Sequence, residues 1–229
     1  ESNRRKSMKM HRPKLTIFAS GGKTGGGSGF ANLVDHQKRG LLEAEIIAVV
    51  SNHENGGVRE IAKMEGIPFV YFPGPFEPAE YKKIVNESGA EYVALSGWLK
   101  LVSGLPANKT FNIHPGPLPD FGGAGMYGHF VHEAVMKAFA EGKVTHSAVT
   151  MHFVTDPKGD KSNYDKGPVV FQFPVKIKSD DTLETLAKRL NVVEHAWQPF
   201  VTNLVTSGLI FWTGKTDSPV QFPDWYLYR

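Results

Sequence analysis

The stretch Phe111-Asn112-Ile113-His114-Pro115-Gly116-Pro117-Leu118-Pro119 holds the residues best suited to chemistry. Asn112 and His114 stand two apart, so on an extended backbone both side chains leave the same face. An amide donor beside an imidazole is suited to stabilising a developing oxyanion while a proton moves. The plainer alternative is a turn with a structural histidine and a capping asparagine. A carboxylate next to His114 would raise its pKa and favour the imidazolium form. Three downstream aspartates are candidates: Asp156, Asp160 and Asp165. Asp160, between Gly159 and Lys161, reads as an exposed turn, and an Asp before Gly167-Pro168 can serve simply as a turn cap.

A second unusual segment, Gly21–Gly29 (GGKTGGGSG), has six glycines among nine residues. Successive backbone N–H groups at a strand-to-helix turn bind anions, glycine permits close approach, and a helix N-terminus adds favourable partial charge. Gly26, Gly27, Ser28 and Gly29 are therefore candidate phosphate-binding residues. Two nucleotide motifs fail on position. A P-loop ending in Gly22-Lys23-Thr24 needs its earlier glycine where Ile17 stands, and a dinucleotide fingerprint begun by Gly25 and Gly27 needs its third where Phe30 stands. A monophosphate fits better than ATP or NAD. The alternative is an empty flexible connection, although such loops usually run only about 2–6 residues.

The elements that must position these groups follow from periodicity. Lys14–Ser20, Ala44–Ser51, Ile67–Phe72, Glu91–Leu95, Thr110–Ile113, His146–Phe153 and Pro168–Val175 read as strands. Phe30–Arg39, Val58–Glu65, Pro78–Ser88, Gly128–Ala140 and Thr182–Ser207 read as helices, and Leu209–Trp212 as a candidate last strand. Strands alternating with helices predict an α/β fold: a single Rossmann-like domain with a mostly parallel central sheet and helices on both faces. Such sheets bind ligands at the carboxyl ends of their strands, where both unusual segments fall. Residues 1–13 read as a basic tail expected to be disordered, 14–207 as the domain and 208–229 as a C-terminal extension packed on it.

Length and composition narrow the classes. The 229 residues, 41% hydrophobic, suffice for one α/β domain with a sizeable core. A net charge of +3 is too mild to argue for nucleic acid, and no apolar run approaches a membrane span. The absence of cysteine removes disulfides, thiolate metal sites and cysteine nucleophiles, and fits a cytoplasmic protein. His129, His132, His146, His152 and His195 are numerous, yet no carboxylate cluster joins them at ligand spacing, so no metal is expected. His152, in a strand, reads as a core-edge or ligand-side residue. Asp180-Asp181-Thr182 reads as a helix cap, and Trp197, Trp212, Trp225 and Tyr226 as packing.

The string Asn-Ile-His-Pro-x-x-Leu-Pro resembles the signature of the 10-formyltetrahydrofolate-dependent formyltransferases. Further matches are the Ser-Gly-rich loop from Ser20 to Asn32, Met151-His152-Phe153-Val154 before Asp165-Lys166-Gly167-Pro168, and Glu194-His195 late in the last long helix. The resemblance implies formyl transfer from 10-formyltetrahydrofolate to an amine without a metal. It implies catalytic roles for Asn112, His114 and Asp165, since only Asp165 has the family's x-Gly-Pro context. It places Glu194 on the substrate's ribose, and Leu99, Lys100, Leu101 and Val102 along the folate pocket. The phosphate loop and short chain point to glycinamide ribonucleotide as acceptor, in purine biosynthesis. The expected partners are small molecules, with no nucleic acid or membrane, and a monomer or homodimer. Rival readings are transfer to another amine, such as a nucleotide-linked aminosugar, and a non-catalytic nucleotide- or folate-binding module. Two departures from the family pattern stand out: a longer glycine loop, and an insertion at Pro157–Tyr164.

Overall fold

In the computed structural model, which describes residues 11–228, alternation along the first strand already sorts the core into two sides. Leu15 and Ile17 of β1 (Lys14–Phe18) enter the larger buried cluster, while Phe18 enters the smaller one. The larger cluster takes residues from α1 (Ser28–Lys38), α2 (Gly57–Glu65), α4 (His129–Ala140) and α5 (Leu183–Thr206). The smaller one takes Tyr81 and Val85 of α3 (Pro78–Ser88) with Trp98, Val102 and Leu105. Helices therefore cover both faces of the sheet.

That sheet has seven strands in the order β3-β2-β1-β4-β5-β6-β7. The remaining strands are β2 (Glu45–Ser51), β3 (Phe69–Tyr71), β4 (Tyr92–Leu95), β5 (Thr110–His114), β6 (His146–Phe153) and β7 (Val169–Lys176). Pairings from β3 through β5 are parallel, and β6 alone runs against its neighbours. The order reverses direction between β1 and β4, and at such a switch point a crevice opens outside the carboxyl ends of the strands. The chain is a single α/β domain with a mostly parallel sheet.

Five details depart from the expectations. The first helix begins at Ser28, two residues before Phe30, because Gly27 at φ 88° turns the chain directly into it. The third strand is confined to Phe69–Tyr71. Leu209–Trp212 forms only a single bridge, Phe211 to Gln221, since the segment pairs with no sheet strand. Residues 1–10 of the expected tail lie outside the described residues, but 11–13 are tied down. Arg12 Nε donates to Glu43 O at 2.7 Å, and Pro13 O accepts from Glu45 N at 2.8 Å. The extension after α5 buries Ile210, Trp212 and Tyr226 in the larger cluster, and Tyr226 Oη donates to Val170 O at 2.8 Å. Trp225, expected to pack, is 57% exposed.

Candidate active site

One cavity of about 620 Å³ opens at the carboxyl ends of β1, β4 and β5. The residues assigned from the sequence to catalysis, phosphate, ribose and folate all line it: Gly26, Gly27, Ser28, Gly29, Leu99, Lys100, Leu101, Val102, Asn112, His114, Asp165 and Glu194.

Its chemical wall is built by strand alternation. Phe111 and Ile113 of β5 face the larger core cluster, so Asn112 and His114 face the other side. The antiparallel register sets Asn112 opposite His152 and His114 opposite Thr150. Cross-strand pairs of this kind bring side chains into contact, and Asn112 Nδ2 lies 3.1 Å from His152 Nε2. His152 Nδ1 is 2.9 Å from the carbonyl of Phe153, which can only accept, so Nδ1 carries a proton. His152 Nε2 is the ring atom that faces the Asn112 amide.

His114 is held by the same logic. Its Nε2 lies 2.7 Å from the Phe121 carbonyl, so Nε2–H donates and Nδ1 is the atom left to gain a proton. Asp165 Oδ2 lies 3.9 Å from that Nδ1, and its Oδ1 lies 3.4 Å from His152 Nε2. Gly123 N donates to Asp165 Oδ2 at 3.0 Å. The aspartate sits at φ 57°, a left-handed conformation that Asp tolerates better than most side chains. Two glycines clear space around it. A Cβ at Gly122 would crowd Leu118 and Asp165, and one at Gly167 would collide with the Phe153 carbonyl.

The two rival aspartates are taken up by backbone amides instead. Asp156 accepts from Gly104 N and Lys158 N, each at 2.8 Å, and Asp160 accepts from Ser162 N at 2.9 Å.

Burial decides the electrostatics. It pushes the His114 imidazole below its ordinary pKa, and the opposing influences of Asp165 and the Phe121 carbonyl do not recover the loss. Asp165 acts upward, as expected from the sequence, but desolvation is the larger effect at a ring that is 3% exposed, so the net shift is downward. Burial also pushes Asp165 up, but the hydrogen bond and charge of His152, the charge of His114 and the Gly123 amide outweigh it. Its carboxyl therefore stays below the usual range. The resting pair is a neutral imidazole beside a carboxylate.

Across the cavity the glycine segment presents backbone. Gly22 N donates to Gly25 O at 2.7 Å, closing a tight turn, and Gly26 follows at φ 86°. The first helical bond of α1 runs from Ala31 N to Gly27 O, so the amides of Ser28, Gly29 and Phe30 have no partner within the helix. No acidic residue lies in that first turn to compete with an anion. Glycine is required here by contact: a Cβ on Gly26 would sit 2.7 Å from Gly21 Cα, and one on Gly29 would strike Ser96 Oγ.

The third wall is α5. Asn191, Glu194, His195 and Gln198 all line the cavity at helical spacing. Desolvation pushes the Glu194 carboxyl up to about 7, opposed only by Asn191 Nδ2 at 3.3 Å. His195 Nε2 lies 3.3 Å from Ser28 Oγ, tying this helix to the start of α1. The fourth wall is the segment after β4. Trp98 and Val102 are buried, whereas Leu99 and Leu101 are 43% and 44% exposed, so the stretch is half core and half cavity lining. Tyr81 Oη donates to Leu101 O and Ser20 Oγ accepts from Leu99 N, fixing this backbone.

Sequence reasoning missed several lining residues. His152, which reads from the sequence as a core-edge or folate-side residue, contacts both Asn112 and Asp165. The available signal was its place opposite Asn112 once two adjacent antiparallel strands were recognised. Asn191 and Gln198 share Glu194's helical face, a stripe readable at i, i+3 and i+7. His132, Lys161 and Tyr164 also line the cavity and had no local signal. Among the described residues, no group of His, Asp or Glu is arranged to hold a metal ion, and no helix is long and apolar enough to cross a membrane.

The fold and the cavity together define a Rossmann-like α/β protein in which a backbone anion cradle faces an amide–imidazole–carboxylate cluster. This chain belongs to the formyl transferase family, whose model it matches over residues 14–202. A phosphoribosylglycinamide formyltransferase of Arabidopsis thaliana, described as chloroplastic, is 33% identical over 213 residues, covering 88% of this chain and 68% of the relative. The Bacillus subtilis phosphoribosylglycinamide formyltransferase is 32% identical over 198 residues, covering 82% and 92%. Among solved structures, the phosphoribosylglycinamide formyltransferase of Bacillus halodurans aligns with a TM-score of 0.72 at 28% identity, covering 85% of this chain and 95% of that one. Glycinamide ribonucleotide transformylase 1 of Symbiobacterium toebii aligns with a TM-score of 0.76 at 25% identity, covering 94% and 96%.

Proposed function

We propose that this chain transfers the formyl group of 10-formyltetrahydrofolate to the amine of glycinamide ribonucleotide, the formyl-transfer step of purine biosynthesis that its relatives are named for. The observation that carries the reading is the joint lining of one cavity by Asn112, His114 and Asp165 with the cradle Gly26–Gly29. The cradle takes the phosphate on unpaired amides at the α1 N-terminus. Glu194 accepts hydrogen bonds from the ribose hydroxyls. Leu99, Lys100, Leu101 and Val102 line the folate side.

The amine attacks the formyl carbon, and the carbonyl oxygen becomes an oxyanion that accepts a hydrogen bond from Asn112 Nδ2. His114, neutral at rest, takes the amine proton on Nδ1, because its Nε2–H is already given to Phe121. The resulting imidazolium is stabilised by Asp165 and adds its charge opposite the oxyanion. The C–N10 bond then breaks, and the proton passes to the leaving N10 nitrogen. Holding amine and formyl carbon together contributes much of the rate, since proximity is worth about 7–11 kcal/mol in well-oriented systems. We assign the activity to the cytoplasm, supported by the cysteine-free sequence.

The test is a spectrophotometric transformylation assay with 10-formyl-5,8-dideazafolate and glycinamide ribonucleotide. Turnover dependent on both substrates is expected. Formyl transfer to a nucleotide-linked aminosugar but not to the ribonucleotide would replace the acceptor, and loss of formyl to water alone would remove the amine from the reaction.

A further inference from the structure

We infer that Asn32 is a positioning residue: it fixes α5 to α1 across the acceptor site by taking up a backbone carbonyl that Pro199 leaves free. The inference rests on the reading that the phosphate lies on Gly26–Gly29 and the ribose at Glu194. Pro199 sits inside α5 and is buried. Proline has no N–H, so the helical bond from position 199 to the carbonyl four residues earlier cannot form. That carbonyl belongs to His195, the residue after Glu194. Asn32 Nδ2 of α1 donates to His195 O at 2.8 Å, between residues 163 positions apart in the chain.

The place of Asn32 on α1 makes this bond more than a cap. Ser28 and Asn32 stand one helical turn apart and share a face. Ser28 Oγ lies 3.3 Å from the His195 ring while Asn32 meets the His195 carbonyl. Ser28 is the first residue of α1 and part of the phosphate cradle. The element whose open amides face the phosphate therefore grips one α5 residue twice. A further link, Ser96 Oγ to Gln198 Oε1, ties α5 to the residue after β4 at a longer 3.3 Å. A phosphorylated ribose reaches from α1 to α5, and both of its contacts are satisfied only where the two helices keep one spacing. Asparagine is a poor former of helix interiors, so Asn32 brings α1 no intrinsic gain. Asn32 and Pro199 both lie outside the cavity lining. Their effect on the ligand passes through His195 and its neighbour Glu194.

The experiment compares the native chain with Asn32→Ala, Pro199→Ala and the double variant. It measures steady-state kinetics with the ribonucleotide, and binding of ribose 5-phosphate and inorganic phosphate by calorimetry. Asn32→Ala replaces a poor helix former with the best one, so the fold is expected to survive. It should raise the ribonucleotide KM and weaken ribose 5-phosphate binding about three- to tenfold, the range of one hydrogen bond. Asn32→Asp, of the same shape but without the donor, should match it. kcat, KM for 10-formyl-5,8-dideazafolate and the affinity for inorganic phosphate, which needs the cradle alone, should stay within about twofold. Pro199→Ala supplies an N–H to His195 O, so adding Asn32→Ala to it should cost less than about twofold. Native affinity for ribose 5-phosphate in Asn32→Ala overturns the inference, whatever the melting temperature. So does an equal loss of inorganic phosphate binding, or a full Asn32→Ala effect that persists beside Pro199→Ala. A native chain that binds ribose 5-phosphate with these dependences but transfers no formyl group overturns the formyl-transfer reading alone. A native chain that binds neither phosphate probe overturns the acceptor site and this inference with it.

Discussion

Two walls of one cavity are built on opposite principles. The wall carrying Asn112, His114, His152 and Asp165 is made of side chains, three of them from adjacent strands of the sheet, each with its free atoms already assigned by a neighbour. The wall at Gly26–Gly29 is made largely of main chain, and at Gly26 and Gly29 a side chain is excluded by contact. Moving a proton requires atoms whose protonation state is specified, so the first wall is buried and polar-paired. Holding a phosphate requires several amides pointing to one place, so the second is stripped to glycine and one small serine.

The comparison can be broken first at the side-chain wall. Asp165→Asn keeps the size and tolerates the left-handed backbone, but removes the charge facing His114. We expect kcat to fall about 10²–10³-fold, the range for loss of one transition-state electrostatic contact, with a melting temperature close to that of the native chain. Asn112→Ala should do the same. If either variant turns over within a few-fold of native while remaining folded, the side-chain wall is not the reacting one.

The main-chain wall should fail differently. Gly26→Ala places a Cβ against Gly21 Cα at a backbone angle that alanine avoids. It should raise KM for the ribonucleotide about tenfold or more and cost about 1–3 kcal/mol of stability, with kcat much less affected. A fall in kcat at unchanged KM would move this loop from binding into the chemistry.

Glu194 sharpens the contrast through pH. In the unfolded chain its carboxyl ionises near the ordinary value of 4.5, but in the folded chain only near about 7. Its proton is thus bound more tightly when folded, and the stability this brings at low pH is lost as pH rises to about 7. Glu194→Gln should therefore raise the melting temperature at pH 8 and leave it nearly unchanged at pH 4. If the carboxylate form holds the ribose, ribonucleotide KM should rise in the native chain as pH falls below about 7, and this dependence should be absent in Glu194→Gln. The smallest effect is expected at Asp160, whose carboxylate caps its own turn: Asp160→Asn should leave kcat and KM within about twofold, as surface substitutions usually do. A large loss there would transfer the carboxylate's role away from Asp165.

The same contrast explains what could be read from the sequence. Asn112 and His114 were legible because period-two alternation fixes where neighbouring strand side chains go. α3 and β6 matched their expected limits because Pro78 starts one and the long run His146–Phe153 defines the other. The cradle was legible as glycine, but its junction with the helix was not. Gly27 can either end a loop or cap a helix, and only its φ of 88° decides. His152 and the direction of the His114 pKa shift depended on a strand register and on burial, both products of tertiary packing. The anchoring of residues 11–13 depended on partners at Glu43, Glu45 and Glu91, distant in sequence.

The reversed direction of β6 has a consequence for how such a protein can diversify. A link between parallel strands must travel the length of the sheet, so its length is constrained by the distance covered. β6 and β7 are antiparallel neighbours, and their connection turns back where it starts. Chain can be spliced into that bend without shifting any strand, provided Asp165 returns to Gly123 and Gly167 to Phe153. The bend behaves as a socket: interchangeable inserts can alter what meets the cavity mouth while the proton-transfer apparatus below keeps its geometry.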